Sequence, residues 1–341
     1  MALKAGLAGY GLAGRVFHAP LLPAAGIELA AVASSRTGEI SADHPEATIY
    51  ATAEDMFADA RLDLVIIATP TPTHVALAKA ALAAGKHVIV DKPFAPTAAE
   101  ARDLFALAKA SGRVLSCFQN RRWDGEFLTL KHLIAEGTLG DIHNFQSNFS
   151  FFKPTSDPDR WQDQDLPGVG VHYDLGTHVI DQAVALFGRP DWVEGEALAQ
   201  RAGAHVPDMF LCRLGYGTMR CLLSGSYFEP DFRSKYVVQG AVGSYRKWHM
   251  DVQEDQLRAG LTPGDDGFGV ETQDRWGDVT AGGEVRKYPT ATGCHQQIYV
   301  DLVRAIEMGS DCAIKPDEVI TTLEIIEAMV TSGQTGQRIA L

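Results

Sequence analysis

The most constraining feature of the sequence lies at its start, where an apolar run over residues 3–8 leads directly into Gly9-Tyr10-Gly11-Leu12-Ala13-Gly14. This GxGxxG pattern is meaningful because it stands between a predicted strand and a predicted helix. Its glycines permit a tight turn, let the backbone approach a pyrophosphate and seat the helix on the strand, while the N–H groups at the helix start favour negative charge. The pattern therefore predicts a dinucleotide-binding loop formed by Gly9, Gly11, Leu12, Ala13 and Gly14.

The first third of the chain alternates short β-type runs with Ala-rich helical patterns. The predicted strands are 3–8, 27–34, 64–69, 87–90 and 114–119, and the predicted helices are 14–22, 52–60, 73–84 and 97–111. Gly85 and Gly112 follow two of these helices, as expected of C-terminal caps. Such a βαβ series indicates a parallel sheet covered on both faces.

The pattern changes after about residue 120. It predicts a helix at 123–136, a strand at 142–152, a Pro/Asp/Gly-rich loop to 171, a helix at 173–187 and successive strands over 192–248. The polar stretch 251–292 is expected to be a long surface excursion, with helices following at 295–308 and 316–331. We therefore predict an α/β Rossmann domain with a doubly wound parallel sheet at 1–119. An α+β domain with a large open, mostly antiparallel sheet is predicted at 120–341.

Length, charge and cysteine usage exclude several function classes. The 341 residues exceed what one core usually organises, and the net charge of −13 disfavours nucleic acid and anionic membranes as partners. The longest apolar stretches are far too short to span a membrane, and the glycine-rich start does not resemble a signal peptide. The five cysteines form no CxxC pair. We expect a cytoplasmic protein.

The end of the second predicted strand indicates the cofactor. NAD-preferring folds place a carboxylate there for the ribose 2′-hydroxyl, whereas this sequence has Ser34-Ser35-Arg36. An arginine can pair with a 2′-phosphate and stack on adenine, and the serine hydroxyls can donate hydrogen bonds. NADP is therefore expected in preference to NAD. The alternative is that Arg36 is an ordinary surface arginine.

Two further segments carry side chains suited to hydride transfer from an alcohol. Lys92 follows the strand 87–90 at the edge where α/β sheets bind ligands, and Asp174 and His178 are spaced to share one face of a helix. The reaction needs a group that takes the hydroxyl proton and a cation beside the oxygen. Residue types alone support an alternative equally well, in which His178 is a structural helix histidine and Lys92 and Asp174 are ordinary charged residues. A metal site including His172, Asp174 and His178 is a further alternative, which no other ligand grouping completes; we expect no metal.

Six ordered motifs resemble the Gfo/Idh/MocA oxidoreductase family over essentially the whole chain. They are GYGLAGRVFHAP at 9–20, ATPTPTH at 68–74, DKPF at 91–94, FQNRRWDG at 118–125, YDLGTHVID at 173–181 and QEDQL at 253–257. Among its members, the sequence is most similar to NADP-dependent scyllo-inositol dehydrogenases. The resemblance implies an enzyme acting on CH–OH groups of a polyol, cyclitol or sugar, and a homodimer or homotetramer formed through the second sheet. The competing hypothesis is a catalytically weak NAD(P)-binding regulator or sensor.

The resemblance also implies roles for individual residues. Lys92, Asp174 and His178 correspond to the family's catalytic trio, and the same three are expected at the substrate with Asn120 and His172. Further cofactor contacts are expected from Thr69, Pro70, Thr71, His74, Asp91, Lys92, Gln119, Arg121 and Trp161. One departure concerns Asp91, since the family usually has a glutamate before the lysine. The other is a glycine run reduced to Gly168-Val169-Gly170 before His172.

Overall fold

The computed structural model describes residues 2–231 and 233–341; Met1, with which the predicted first domain begins, lies outside the described residues. The chain groups into two compact units. The first unit comprises Met1–Asn120, Gln253–Phe268 and Cys294–Ile320, and the second comprises Arg121–Val252, Gly269–Gly293 and Thr321–Leu341. Two later segments therefore pack with the N-terminal residues.

The first unit is built on a six-stranded sheet in the order β3-β2-β1-β4-β5-β6. Its strands are β1 Leu3–Ala8, β2 Ile27–Ala33, β3 Thr48–Tyr50, β4 Leu64–Ile67, β5 His87–Val90 and β6 Leu115–Cys117. Every neighbouring pair is parallel. The predicted doubly wound parallel sheet is confirmed, and β3 is an additional strand that the sequence pattern did not indicate.

Four helices accompany these strands, α1 Thr37–Asp43, α2 Ala53–Phe57, α3 His74–Ala83 and α4 Ala98–Ala110. Local chemistry sets their ends. The Thr97 side chain caps the start of α4 by accepting a hydrogen bond from the Glu100 amide, and its hydroxyl donates to the Glu100 carboxylate. Gly85 and Gly112 take the left-handed conformation after α3 and α4, with φ of 76° and 64°.

The predicted helix at 14–22 is wrong in type. Residues Ala13–His18 form a π-helix, followed by 3₁₀ turns at Ala19–Leu21 and Pro23–Ala25. Pro20 and Pro23 carry no N–H group, so this stretch cannot continue a regular ladder of α-helical hydrogen bonds. The helix that follows the glycine loop is therefore wider than an α-helix. It ends at His18, before the predicted end at residue 22.

The second unit is built on a nine-stranded sheet in the order β14-β13-β12-β11-β7-β10-β9-β8-β15. Its pairs are antiparallel except β7 with β10, which confirms the mostly antiparallel sheet. The strands are β7 Ile142–Asn148, β8 Trp192–Leu198, β9 Met209–Tyr216, β10 Met219–Ser226, β11 Tyr236–Gly240, β12 Gly243–Lys247, β13 Gly277–Ala281, β14 Glu284–Tyr288 and β15 Ile339–Ala340.

The remaining helices are α5 Gly125–Ala135, α6 Val171–Asp174, α7 Gly176–Phe187, α8 Gln253–Arg258, α9 Gln297–Met308 and α10 Pro316–Thr335. The core of the second unit lies between its sheet and α7. Phe145 of β7 meets Phe187 of α7 edge to face with ring centroids 5.4 Å apart. The buried Tyr236 hydroxyl donates to the Gln182 side chain of α7 at 2.6 Å. Packing and a buried hydrogen bond together fix α7 on the sheet.

The expectation that 251–292 is a surface excursion is wrong. The segment contains α8 and the strands β13 and β14, which extend the second sheet through a turn at Gly282 and Gly283 with φ of 60° and 84°. β14 is an edge strand whose residues are mostly exposed, so no alternation of apolar and polar residues marks it in the sequence.

The single helix predicted at 173–187 is interrupted. α6 ends at Asp174 and α7 begins at Gly176, and the His178 amide donates to the Leu175 carbonyl, three residues back, at 3.2 Å. Asp174 and His178 therefore belong to consecutive helices with a tightened turn between them.

Among residues 2–231 and 233–341, no helix combines the length and apolarity needed to cross a membrane.

Candidate active site

The glycine loop after β1 is shaped by close backbone contacts. Gly9 has φ of 94°, and a Cβ atom added to it would lie 2.6 Å from the Ala68 carbonyl oxygen. A Cβ atom on Gly14 would lie 2.1 Å from the Gly9 carbonyl oxygen, whereas one on Gly11 would meet nothing within 4 Å. Gly9 and Gly14 are thus required by the fold itself, and Gly11 leaves an open surface at the start of the π-helix. This geometry fits the close approach of a dinucleotide pyrophosphate.

Arg36 lies beside this loop in a cluster of charges. Its Nη1 donates to Glu39 at 2.8 Å, and its side chain is 54% exposed. Arg15 donates to the other oxygen of Glu39 at 2.9 Å and to Asp43 at 2.7 Å. The Tyr10 hydroxyl also donates to Asp43, at 2.9 Å. Sequence reasoning found Arg36 but missed Arg15 and the two carboxylates, which α1 supplies.

The segment after β4 contains Thr69, Pro70, Thr71 and His74. Thr69 Oγ1 lies 2.6 Å from Thr73 Oγ1, and Thr73 Oγ1 donates to the Pro70 carbonyl at 2.8 Å. His74 is 1% exposed, with Nε2 2.8 Å from the Thr69 carbonyl and Nδ1 2.9 Å from the Pro93 carbonyl. His74 therefore ties the segment after β4 to the segment after β5.

Asp91 and Lys92 follow β5. The Asp91 Oδ1 atom accepts the Lys92 N–H at 2.8 Å, and the Lys92–Pro93 peptide bond is cis. Burial opposes ionisation of the Asp91 carboxyl, but His18 and Lys92 nearby hold its pKa below the usual value. Lys92 thus follows the carboxyl end of a parallel strand, as the sequence predicted. The ionised carboxylate of Asp91 lies beside it.

Gln119 and Asn120 follow β6 and complete the first unit's group of predicted residues. They are 2% and 8% exposed, and the Asn120 amide nitrogen lies 3.5 Å from His295 Nδ1. The first unit thus brings the glycine loop and the segments after β4, β5 and β6 to one edge of its sheet.

The second unit carries Arg121, whose guanidinium lies 4.6 Å above the centre of the Phe149 ring. The next residue, Arg122, makes two hydrogen bonds to the Asp181 carboxylate, at 2.8 and 2.7 Å, and both side chains are buried. The Gln182 amide of α7 donates to the Arg121 carbonyl at 2.8 Å. Arg121 and Arg122 are therefore anchored to α7, the helix that carries His178.

Asp174 and His178 each contact an aromatic residue of the second unit. The Tyr227 hydroxyl, 5% exposed, donates to an Asp174 carboxylate oxygen. Burial and the Asp174 charge raise the pKa of Tyr227, so the phenol stays protonated and remains a donor. His178 is 5% exposed and packs 5.8 Å from the Phe149 ring centre. Tyr227 was missed because it lies on a strand end with no motif around it.

His172 occupies a buried position on α6. Burial lowers the pKa of its imidazole to about 4, so the ring is neutral at pH 7. Its Nδ1 atom has no hydrogen-bond partner among the described residues. A neutral imidazole with an unused nitrogen can serve a hydroxyl group as acceptor or donor.

Trp161 begins a 3₁₀ turn, Trp161–Asp163, in the loop between β7 and α6. The buried Arg201 holds this loop through Asp163 at 2.8 Å and the Thr155 carbonyl at 2.9 Å, and it is fixed in turn by Asp208 at 2.9 Å. The turn that positions Trp161 is therefore fastened by an arginine that no sequence motif indicated.

Both parts of the chain match profiles of one oxidoreductase family. The profile described as "Oxidoreductase family, NAD-binding Rossmann fold" matches residues 3–119, and that described as "Oxidoreductase family, C-terminal alpha/beta domain" matches residues 131–341. The chain is 41% identical to the oxidoreductase YdgJ of Escherichia coli, over 97% of this chain and 96% of that protein. It is 36% identical to the scyllo-inositol 2-dehydrogenase (NADP(+)) IolW of Bacillus subtilis, over 99% and 96%. The solved structure of the B. subtilis oxidoreductase yvaA superposes with a TM-score of 0.96 at 36% identity, covering 100% of this chain and 98% of that one.

The contrast between Gly9 and Gly11 gives a test of the loop. Gly9→Ala combines a positive φ with a steric clash, and we expect it to lower the free energy of unfolding by more than about 2 kcal/mol. Gly11→Ala adds a methyl group into open space, so its Tm should stay near that of the unsubstituted protein while affinity for NADPH falls. Thermal unfolding and fluorescence titration with NADPH measure both effects. Equal Tm values for the two variants would contradict the assignment.

Proposed function

Because the chain belongs to the Gfo/Idh/MocA oxidoreductase family, we propose that it is an NADP-dependent dehydrogenase or reductase acting on a secondary alcohol or ketone of a polyol, cyclitol or sugar. One observation carries this proposal above the others. Asp174, beside a Tyr227 hydroxyl donor, and the buried His178 stand on adjoining turns of the second unit, while Lys92 leaves the carboxyl end of β5 in the first. This set contains a proton carrier, a cation and a fixed carboxylate.

The first unit would hold the dinucleotide through its glycine loop and strand ends. Gly11 and the amides after it would face the pyrophosphate, Ser34, Ser35 and Arg36 the adenosine ribose, and Thr69, Pro70 and Thr71 the nicotinamide side. Asp91, Gln119, Arg121 and Trp161 are proposed as further contacts, and His74 as a tie between two of these segments. When bound, the nicotinamide ring accepts or supplies the hydride.

The chain's own residues would manage the proton and the developing charge. Lys92 and His178 are proposed to exchange the hydroxyl proton and to stabilise the oxygen as its charge changes. Asp174 would orient His178 or bind a neighbouring hydroxyl, and Tyr227 fixes the Asp174 carboxylate for that task. A substrate with several adjacent hydroxyl groups fits this surplus of polar partners, which Asn120 and the neutral His172 extend.

A cyclitol or sugar is the substrate class that we favour, since IolW is named a scyllo-inositol 2-dehydrogenase. The NADP(+) dependence of IolW supports the assignment of Arg36 to the 2′-phosphate. We also propose a cytoplasmic location.

A homo-oligomer formed through the second sheet belongs to the same proposal. Leu198, Leu211 and Leu222 lie on one face of β8, β9 and β10 and are 43%, 45% and 46% exposed. These exposed leucines share the face with Glu196 and Arg213, and exposed apolar side chains rimmed by polar residues are typical of protein interfaces.

Substitution of the catalytic residues gives the first test. Lys92→Met and His178→Asn should each lower kcat at least about 100-fold, because each removes a proton carrier or an electrostatic partner of the reacting oxygen. Affinity for NADPH should change less than about threefold in His178→Asn. Stopped-flow reduction or oxidation of a panel of inositols, aldoses and ketoses with NADP(H) and NAD(H) measures both.

The exposed Lys79 and His132 supply matched controls, and Lys79→Met and His132→Asn should leave turnover unchanged. If neither Lys92→Met nor His178→Asn altered kcat, the mechanism would be refuted. Tight NADPH binding without turnover of any compound in the panel would favour the regulator or sensor hypothesis instead.

The cofactor preference is tested at Arg36. Arg36→Ala should weaken NADPH binding about tenfold through the loss of a charge-assisted contact, with NADH binding unchanged. Glu39→Gln should have the opposite sign, because it releases Arg36 from a competing carboxylate. Isothermal titration with both cofactors measures the difference, and Arg102→Ala, an exposed arginine on α4, serves as control. Unchanged NADPH affinity in Arg36→Ala would rule out its proposed role.

The oligomer is tested by placing a charge on the sheet. Leu222→Arg should move the protein from a dimer or tetramer toward the mass of a single chain in light scattering coupled to gel filtration, since burying an unpaired guanidinium is costly. Met308→Arg, at a residue 77% exposed in the first unit, should leave the mass unchanged. A single-chain mass for the unsubstituted protein would contradict the proposal.

A further inference from the structure

His18, the last residue of the π-helix, is a fully buried histidine that the proposed chemistry does not use. It is 0% exposed, and its Nδ1 atom lies 2.5 Å from the hydroxyl of Tyr299, which is also 0% exposed on α9. The ring of Phe118 lies against the imidazole with a centroid distance of 4.0 Å. A histidine held on two sides in this way has a fixed ring orientation.

The other ring nitrogen points at the residue before Lys92. His18 Nε2 lies 3.8 Å from Asp91 Oδ2, an ion-pair distance longer than a hydrogen bond. It has no hydrogen-bond partner among the described residues. If the Tyr299 hydroxyl donates to Nδ1, the ring proton on Nε2 faces the carboxylate. A displacement of Asp91 by about 1 Å would complete that hydrogen bond and satisfy the buried Nε2 group.

We infer that Tyr299, His18 and Asp91 form a buried chain that positions Lys92. Asp91 Oδ2 faces His18, while Asp91 Oδ1 accepts the Lys92 amide proton at 2.8 Å. On the other side of Lys92, His74 lies within 2.9 Å of the Pro93 carbonyl. Each neighbour of Lys92 thus lies beside a histidine from another segment of the first unit, Asp91 at an ion-pair distance and Pro93 at a hydrogen-bond distance.

This chain also gives a physical consequence to the aspartate that stands where the family usually has glutamate. The Asp91 side chain places one carboxylate oxygen 3.8 Å from His18 Nε2 and the other 2.8 Å from the adjoining Lys92 amide nitrogen. His18 and Tyr299 are positioning residues, because they act on Lys92 only through Asp91. The value of this arrangement to turnover rests on the proposed catalytic role of Lys92.

Two substitutions of His18 distinguish the contact of Nδ1 with Tyr299 from that of Nε2 with Asp91. His18→Gln places an amide N–H near the Nε2 position and keeps a donor toward Asp91. His18→Asn places its amide near the Nδ1 position, so it keeps a partner for Tyr299 and loses the donor. Hydrogen exchange of the Lys92 amide, followed by NMR on protein labelled with ¹⁵N-lysine, reports the tether without any substrate, and Lys92→Arg assigns the signal.

We expect His18→Asn to speed exchange of the Lys92 amide about tenfold, which corresponds to about 1.4 kcal/mol, and His18→Gln to speed it less than about twofold. Tyr299→Phe removes only the hydroxyl, and it should speed exchange about threefold. Tyr50→Phe removes a hydroxyl that binds Asp59 at 2.9 Å elsewhere in the first unit, and it should change nothing. With a substrate from the panel, kcat should fall 10- to 100-fold in His18→Asn, with affinity for NADPH retained.

Equal exchange rates in His18→Asn and His18→Gln would overturn the inference, and so would an unchanged Lys92 amide in Tyr299→Phe. If the His18 variants failed to fold, Tyr299→Phe against Tyr50→Phe would decide. Failure of the proposed function has a different signature, because kcat would then be insensitive to Lys92→Met whatever the exchange rates show.

Discussion

The close backbone approach at Gly9 is the constraint on which the first unit depends. β1 and β4 are parallel neighbours with Ala8 opposite Ile67, so the turn after β1 lies against the Ala68 carbonyl with no room for a side chain. Because parallel strands end at the same edge of a sheet, this register also sets where the other segments emerge. Ser34, Asp91 and Gln119 follow β2, β5 and β6 at that edge. The parallel register that brings Gly9 against Ala68 thus also places residues from 34 to 119 at one edge of the sheet.

The second unit is organised by buried ion pairs instead. Removing two charges from water is costly, so a pair such as Arg122 with Asp181 contributes less to stability than to geometry. It joins the 3₁₀ turn at Asn120–Trp123 to α7 and thereby fixes the rotation of the helix that carries His178. Arg201 does the same for the loop of Trp161 through Asp163 and Asp208. Buried charges of this unit thus join elements that are separate in the chain.

Sequence reasoning succeeded where a local pattern carries the information. The fully buried strands of the first unit appear as apolar runs, and the capped helices show their caps, so both were predicted to within a few residues. The π-helix, the interruption at Leu175 and the exposed strand β14 have no such local signature. The partners Tyr227 and Tyr299 were missed for another reason, since they meet Asp174 and His18 across 53 and 281 residues of chain. Such contacts depend on tertiary packing that one sequence does not display.

The charge cluster at Glu39 bears on the proposed preference for NADP over NAD. With a net charge of −13, the protein offers no general attraction for a phosphorylated cofactor, so any preference must be local. Arg36 is bonded to Glu39, and Arg15 is shared between Glu39 and Asp43. These pairs are largely exposed, and such pairs contribute about 0–1 kcal/mol, so a 2′-phosphate can replace the carboxylate at little cost. If Arg36 binds the 2′-phosphate as proposed, selectivity would be the difference between two pairings of one guanidinium, and Glu39 would contribute to it as directly as Arg36.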